Sequence, residues 1–140
     1  MTPGMYTAVA LVLALGVATV VGLLLNRRSG AVRPTSDDVA EVDVSDLGLS
    51  RTGPTIVHFS AVWCGPCAGV RKVVNQVCAD SPGTAHVEID MDADPAAARR
   101  LSVLSLPTTF IFDAQGKQRY RLSGVPKAAD LRSALASLLA

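Results

Sequence analysis

The sequence has little net charge and few cysteines. Thirteen Lys and Arg residues against twelve Asp and Glu residues give a formal net charge of +1 over 140 residues. A protein that binds nucleic acid by neutralising phosphates is usually far more basic, so we predict no nucleic-acid partner. Three cysteines are too few for a small domain stapled by disulfides. The 49% of hydrophobic residues argue against a disordered chain, and the length suits one ordinary domain.

Charge is absent altogether from one stretch near the N-terminus, Tyr6 to Leu25, which Arg27 and Arg28 follow closely. A helix of about twenty residues spans about 30 Å, the thickness of the hydrocarbon core of a bilayer. A cleaved signal peptide fits less well, because no Lys or Arg precedes the stretch and no Ala-x-Ala site follows it. We therefore predict that residues 1–28 form a single-pass membrane anchor.

The basic residues beside this stretch lie on its C-terminal side, where Arg33 joins Arg27 and Arg28. Because Lys and Arg are enriched on the cytoplasmic side of membrane spans, this asymmetry predicts that the C-terminal part of the chain lies in the cytoplasm. An extracytoplasmic location of that part is the alternative.

Beyond the anchor, we predict a linker over residues 29–41 and a folded domain over residues 42–140. Hydrophobic patterns and turn residues in the domain indicate four strands and three helices. The predicted strands span 55–60, 86–91, 108–112 and 117–122. The first predicted helix begins at Gly65-Pro66, and the other two span 96–101 and 127–139. A strand–helix–strand unit followed by a hairpin and a closing helix is typical of an α/β domain with a mixed sheet.

The segment Trp63-Cys64-Gly65-Pro66-Cys67 lies where the first predicted strand gives way to a helix. A helix N-terminus carries partial positive charge and free N–H groups, which favour a cysteine thiolate over the thiol. Cys64 is therefore the predicted nucleophile. Cys67, one turn inside the helix, is predicted to resolve the mixed disulfide that Cys64 forms.

Other uses of these cysteines fit less well. A structural zinc site needs about four ligands, and the sequence offers no second Cys pair, so we predict no metal. Covalent haem attachment would require a histidine directly after Cys67, where the chain has Ala68. Cys78 falls on the apolar stripe of the same predicted helix and is expected to be a small buried hydrophobe. His86 is expected to be a surface histidine at a strand end, without an evident role.

At the Trp63–Cys67 segment the chain resembles the thioredoxin family, whose active-site sequence is Trp-Cys-Gly-Pro-Cys. A second match is Leu106-Pro107-Thr108, where the family has a cis proline beside the disulfide and a preceding residue that pairs with the substrate backbone. The resemblance implies a thioredoxin fold over about residues 42–140, exchange with protein disulfides, no organic cofactor, and electrons from another dithiol protein such as a reductase. Gly65-Pro66 resembles the reducing members, so we expect a membrane-tethered reductase of protein disulfides. A non-catalytic tethered module that binds a partner protein is the alternative.

The chain departs from the family pattern at several positions. His58 stands where the family usually has a buried Asp, Glu88 matches its partner Lys, and the region before Thr55 is short enough to truncate the first strand and helix. We hypothesise that His58 accepts the proton of Cys67 and that Glu88 orients its ring. Burial lowers the pKa of a histidine and a carboxylate neighbour raises it, so the sequence leaves the net shift open.

Overall fold

The computed structural model describes residues 2–37 and 41–140. A long helix and a short strand precede alternating strands and helices: α1 (Pro3–Arg27), β1 (Arg33–Pro34), β2 (Thr55–Ser60), α2 (Cys67–Asp80), β3 (Ala85–Asp90), α3 (Pro95–Arg100), β4 (Thr108–Phe112), β5 (Gln118–Ser123) and α4 (Ala128–Leu139). The strands predicted at 55–60 and 108–112 are confirmed residue for residue. The other predicted elements are present with their ends shifted by one or two residues, and β1 lies inside the segment predicted as a linker.

The five strands form one mixed sheet in the order β1-β5-β4-β2-β3. β2 runs parallel to β3, which needs a crossover connection, and α2 provides it. The β2–β4, β4–β5 and β1–β5 pairs are antiparallel. Every residue of β2 and β4 is buried, as expected for short, strongly apolar or β-branched runs at the centre of a sheet. The predicted α/β architecture with a mixed sheet is confirmed.

Alternate side chains of the central strands build a separate core on each face of the sheet. One core packs against α3 and the chain before β2, and its largest members are Phe59, Phe110 and Phe112. The other core lies beneath α2 and α4 and includes Ile56 and Ile111. Each fully buried large apolar side chain contributes roughly 1.5–3 kcal/mol, so the second core holds α2 firmly against β2. That packing fixes the position of the β2–α2 loop, which carries the cysteines.

The chain before β2 adds neither a helix nor a strand over residues 41–54. Its apolar side chains nevertheless pack on the core that holds Phe59, and Leu47 is 5% exposed there. Within the described residues, β3 pairs with β2 alone and forms one edge of the sheet, while β1 pairs with β5 at the opposite edge. This agrees with the expectation that the first strand and helix of the family are truncated.

Helix α1 is apolar on every side, and none of its residues is buried against the described part of the chain. Its most apolar window has a mean hydropathy of 2.8. A helix of this length and composition is a candidate membrane span. Only residues 28–32 separate α1 from β1, and within them the Gly30 N–H donates to the Ser123 carbonyl at 2.5 Å. The segment that follows α1 is therefore hydrogen-bonded directly to the last residue of β5.

Candidate active site

The loop between β2 and α2 carries Cys64 and Cys67, which form a disulfide with Cα atoms 5.5 Å apart. Cys67 is the first residue of α2 and is 2% exposed, whereas Cys64 is partly exposed. Gly65-Pro66 between them are exposed. Trp63 is 65% exposed, and its indole N–H donates to Asp92 at 2.9 Å. A thiol or disulfide arriving from solvent therefore meets the sulfur of Cys64, while the sulfur of Cys67 is covered.

Backbone hydrogen bonds define the shape of this loop. The Cys64 N–H donates to the Ala61 carbonyl at 3.0 Å, and the Cys67 N–H donates to the Cys64 carbonyl at 3.3 Å. The Sγ of Cys67 lies 4.0 Å from the carbonyl oxygen of Phe59, the residue that follows His58. Cys67 is thus seated directly on β2 at its carboxyl end.

The Leu106–Pro107 peptide is cis, as the resemblance implied. Pro107 is buried, Leu106 is half-buried, and the Pro107 carbonyl accepts a hydrogen bond from the Gly124 N–H at 3.0 Å. Gly124 has a φ of +86°, and a Cβ there would run into Ser29, next to the end of α1. The proline loop, the loop after β5 and the segment after α1 therefore lie side by side.

His58 lies in the centre of β2 and is fully buried on the face that α2 covers. Its Nδ1 is 2.8 Å from Nε2 of His86 on β3, and the planes of the two rings lie 19° apart with their centroids separated by 4.9 Å. Nδ1 of His86 is in turn 3.2 Å from Oδ1 of Asn75 on α2. Because His86 is half-buried and Asn75 is exposed, this chain of side chains runs from the interior to the surface.

Glu88 lies directly opposite His58 in the parallel β2–β3 register. Its carboxylate accepts hydrogen bonds from the Arg71 guanidinium and from Oγ of Ser60, the latter at 2.8 Å. The Arg71 hydrogen bonds are the main reason that the pKa of Glu88 is lowered to about 2, against the opposing effect of partial burial. Glu88 is therefore ionised throughout the physiological pH range.

Burial dominates the electrostatics of His58. It lowers the pKa of His58 to about 4, although the Glu88 carboxylate acts in the opposite direction. Nε2 of His58 is 3.4 Å from Oε1 of Glu88 but is not aligned for a hydrogen bond, so this buried nitrogen has no hydrogen-bond partner in the described part of the chain. Thr109, which pairs with His58 on β4, has a buried hydroxyl without a partner as well. At neutral pH, His58 is a neutral imidazole.

Sequence reasoning missed the surroundings of His58. The expectation that His86 is a surface histidine is wrong, because the parallel register carries its ring onto the covered face of the sheet, against His58. Arg71 and Asn75 were not singled out either, although they follow Cys67 at four-residue intervals and so share one face of α2. That spacing was the available signal. Cys78 is half-buried beside the second core, and burial raises the pKa of its thiol.

The cysteines lie at the surface, beside the exposed Trp63 and Gly65-Pro66. Two clefts, of about 680 and 410 Å³, lie elsewhere, and neither is lined by a cysteine. Over residues 2–37 and 41–140, no group of three or more His, Cys, Asp or Glu side chains is arranged to hold a metal ion. A partly exposed cysteine at an open surface suits a macromolecular disulfide better than a small enclosed ligand.

Comparison with known proteins agrees with this geometry. The family model described as Thioredoxin matches residues 38–137. A thioredoxin of Mycolicibacterium smegmatis is 37% identical over 107 residues, covering 69% of this chain and 94% of that protein. A thioredoxin of Streptomyces clavuligerus is 30% identical over 104 residues, covering 74% of this chain and 94% of that protein. Chloroplastic thioredoxin z has a solved structure that is 31% identical, with a TM-score of 0.58 over 64% of this chain and 80% of its own. The chain belongs to the thioredoxin family of thiol–disulfide oxidoreductases.

Proposed function

We propose that this protein is a membrane-tethered reductase of protein disulfides, in which Cys64 attacks the substrate and Cys67 resolves the intermediate. The observation that carries the proposal is the unequal exposure of the two sulfurs at the start of α2. Cys67 is 2% exposed, whereas Cys64 is partly exposed beside the exposed Trp63. The helix N-terminus stabilises a thiolate there, so the reachable sulfur is also the more nucleophilic one.

The reaction moves two electrons from the reduced protein to the substrate. The Cys64 thiolate attacks one sulfur of the substrate disulfide, forms a mixed disulfide and releases the first substrate thiolate. The Cys67 thiol then loses its proton, and its thiolate attacks the sulfur of Cys64. The second substrate thiolate leaves, and the Cys64–Cys67 disulfide forms. A dithiol donor, such as a reductase, restores the two thiols.

His58 is proposed to accept the proton of Cys67 in the resolving step. Its ring lies on the face of β2 that α2 covers, one residue from the Phe59 carbonyl that Cys67 contacts. Its Nε2 is the ring nitrogen nearer to Glu88. The Glu88 carboxylate accepts a hydrogen bond from Ser60, which lies at the carboxyl end of β2, the end that leads to the cysteines. A buried nitrogen without a hydrogen-bond partner at this position suits a proton acceptor in the reduced protein, and general-base assistance typically accelerates a step by about 10²–10⁴-fold.

The surface around Cys64 is proposed to bind the substrate chain. Leu106 and Pro107 would form one wall of the groove, with the Leu106 backbone pairing with the substrate backbone. Trp63 and Gly65-Pro66 would form the other wall, and their exposure supports this assignment. The exposed Leu104, at 92%, lies on the same loop as Pro107 and extends the apolar surface available to a protein substrate.

Tethering is proposed to occur through residues 1–28, with the redox domain in the cytoplasm. The length and apolar composition of α1 support the span, and the basic residues that follow α1 support the orientation. The short connection from α1 to β1 would hold the domain at the membrane surface, so disulfides of membrane proteins are the expected substrates.

A turnover assay separates the reductase from a non-catalytic module. The full-length chain in detergent micelles should reduce insulin disulfides with dithiothreitol as electron source, and the Cys64→Ser variant should show only the background rate. If the native protein has both cysteines reduced but its rate of insulin reduction does not exceed the background rate, the protein is better explained as a non-catalytic binding module.

A further inference from the structure

We propose that His86 connects His58 to solvent as a proton relay, so that both imidazoles exchange their protonated nitrogens each time the disulfide opens or closes. The proposal deepens the role of His58 and rests on it. Three contacts carry it: Nδ1 of His58 to Nε2 of His86 at 2.8 Å, Nδ1 of His86 to the Asn75 amide at 3.2 Å, and the unpartnered Nε2 of His58.

The hydrogen-bond chain determines which nitrogens carry protons. The side-chain amide of Asn75 can present either its oxygen or its NH₂ group to Nδ1 of His86. When it presents its oxygen, Nδ1 of His86 donates to it, which leaves Nε2 of His86 as an acceptor. Nδ1 of His58 then donates to that acceptor, and Nε2 of His58 is a bare lone pair. We assign this arrangement to the reduced protein, in which Cys67 has a proton to transfer, and the opposite tautomers to the disulfide form.

Passing the proton onward avoids a charged His58. Burial strongly disfavours the imidazolium at His58, whereas His86 is half-buried and closer to water. As Nε2 of His58 takes the proton of Cys67, Nδ1 of His58 gives its own proton to Nε2 of His86. His86 then releases the proton on Nδ1 to solvent, at the edge where Asn75 is exposed. Both rings end neutral, and each has exchanged one tautomer for the other.

The relay resets itself in the second half of the cycle. When a dithiol donor reduces the Cys64–Cys67 disulfide, Nε2 of His58 protonates the Cys67 thiolate. Nδ1 of His58 takes the proton on Nε2 of His86 in exchange, and a proton from solvent then binds Nδ1 of His86. No ring has to rotate. The amide of Asn75 serves both states, since it offers an oxygen to a protonated Nδ1 and, after a flip, an NH₂ group to a bare one.

The polar groups around the two rings fit this exchange. His58 faces Glu88 and His86 from β3, Arg71 from α2 and Thr109 from β4. In the oxidised state the negative charge of Glu88, 3.4 Å from Nε2 of His58, favours the tautomer with its proton on that nitrogen, although the two groups are not aligned for a hydrogen bond. His86 faces Asn75 on α2 and has Glu88 and Arg71 as its charged neighbours. The Arg71–Glu88 ion pair keeps that carboxylate charged and in place in both states.

The direct test observes the rings in the native protein. The chain has only two histidines, so ¹⁵N-histidine NMR of the full-length protein in detergent micelles reports on these rings alone. We expect both rings to change from the Nδ1–H form in the reduced protein to the Nε2–H form in the oxidised protein. A His86 ring that keeps one tautomer in both redox states would overturn the relay.

A kinetic test separates the relay from the role of His58. Dithiobis(nitrobenzoic acid) releases one chromophore when Cys64 attacks it and a second when Cys67 resolves the adduct, in a Cys78→Ala background. His86→Gln keeps a hydrogen-bonding group near Nδ1 of His58 but cannot relay a proton. It should slow the second release by at least about tenfold, without changing the first. The double variant His58→Gln/His86→Gln should be no slower than His58→Gln alone, because both residues act in one chain.

The other outcomes are distinguishable. If His58→Gln slows resolution but His86→Gln does not, the relay is wrong and the role of His58 stands. If the two effects multiply, the residues act independently, and the relay is again wrong. If neither variant slows the second release, the proton-acceptor role of His58 fails as well.

Discussion

Acid should destabilise this protein through His58. The side chain is 0% exposed, and burial lowers its pKa from 6.5 to about 4. As the pH falls, His58 is therefore protonated near pH 6.5 in the unfolded chain but only near pH 4 in the folded chain. Stability is thus full above pH 6.5 and is lost progressively as the pH falls to about 4. A difference of about 2.5 pH units at about 1.4 kcal/mol each corresponds to a loss of about 3–4 kcal/mol.

That loss is a large fraction of the roughly 5–15 kcal/mol that stabilises an ordinary domain. Glu88 adds little in this window, because its pKa is lowered to about 2 and its contribution is lost only as the pH falls from about 4.5 towards 2. The pKa of His86 is also lowered by burial, so some of the pH dependence belongs to that ring. The larger share is expected from His58, which is the more buried of the two.

The measurement is urea unfolding of the full-length chain in a neutral detergent at several pH values from 4 to 7.5, followed by the fluorescence of Trp63, the only tryptophan. His58→Gln does not titrate and should lose most of the pH dependence between 4 and 6.5. The control His86→Gln should retain most of it. Equal slopes for the native protein and His58→Gln would refute the reasoning.

Three further expectations concern the rest of the fold. Gly124→Ala should lower the free energy of unfolding by about 1–2 kcal/mol. The loss should be larger than for Gly48→Ala, because both glycines have positive φ but only at Gly124 would a Cβ meet Ser29. Equal losses for the two variants in urea unfolding would contradict the contact with Ser29. Asp94→Ala should cost about 1 kcal/mol in the same assay, since its carboxylate accepts from the Ala97 N–H at 3.0 Å at the start of α3, and an unchanged midpoint would argue against this cap. Protease added to intact cells should leave the redox domain uncut if it lies in the cytoplasm; its digestion without lysis would assign it to the other side of the membrane.

Local patterns were sufficient to predict most elements of the domain. The run at Thr55–Ser60 is rich in β-formers, and an apolar stripe at helical spacing follows Pro66, so strand and helix were separable from sequence. β1 could not be predicted, because two residues carry no periodicity. Its pairing with β5 depends on where the chain returns after α1, which is a property of the whole fold.

The candidate site was predictable only where its residues are neighbours in the sequence. Cys64 and Cys67 belong to one short motif, and His58 was found through its distance from that motif. His86 lies 28 positions from His58, and only the register of β2 against β3 brings their rings together. The direction of the His58 pKa shift was also beyond the sequence, because it depends on how completely α2 covers the ring.

The most direct test of the central claim is a mixed-disulfide trap. In the full-length Cys67→Ser variant, Cys64 can attack a substrate disulfide but the adduct cannot be resolved. Covalent complexes that dithiothreitol cleaves should therefore accumulate in cells. The Cys64→Ser/Cys67→Ser double variant, which retains Cys78, is the matched control and should capture none of them. If the single variant captures no more than the double variant, Cys64 is not the attacking nucleophile.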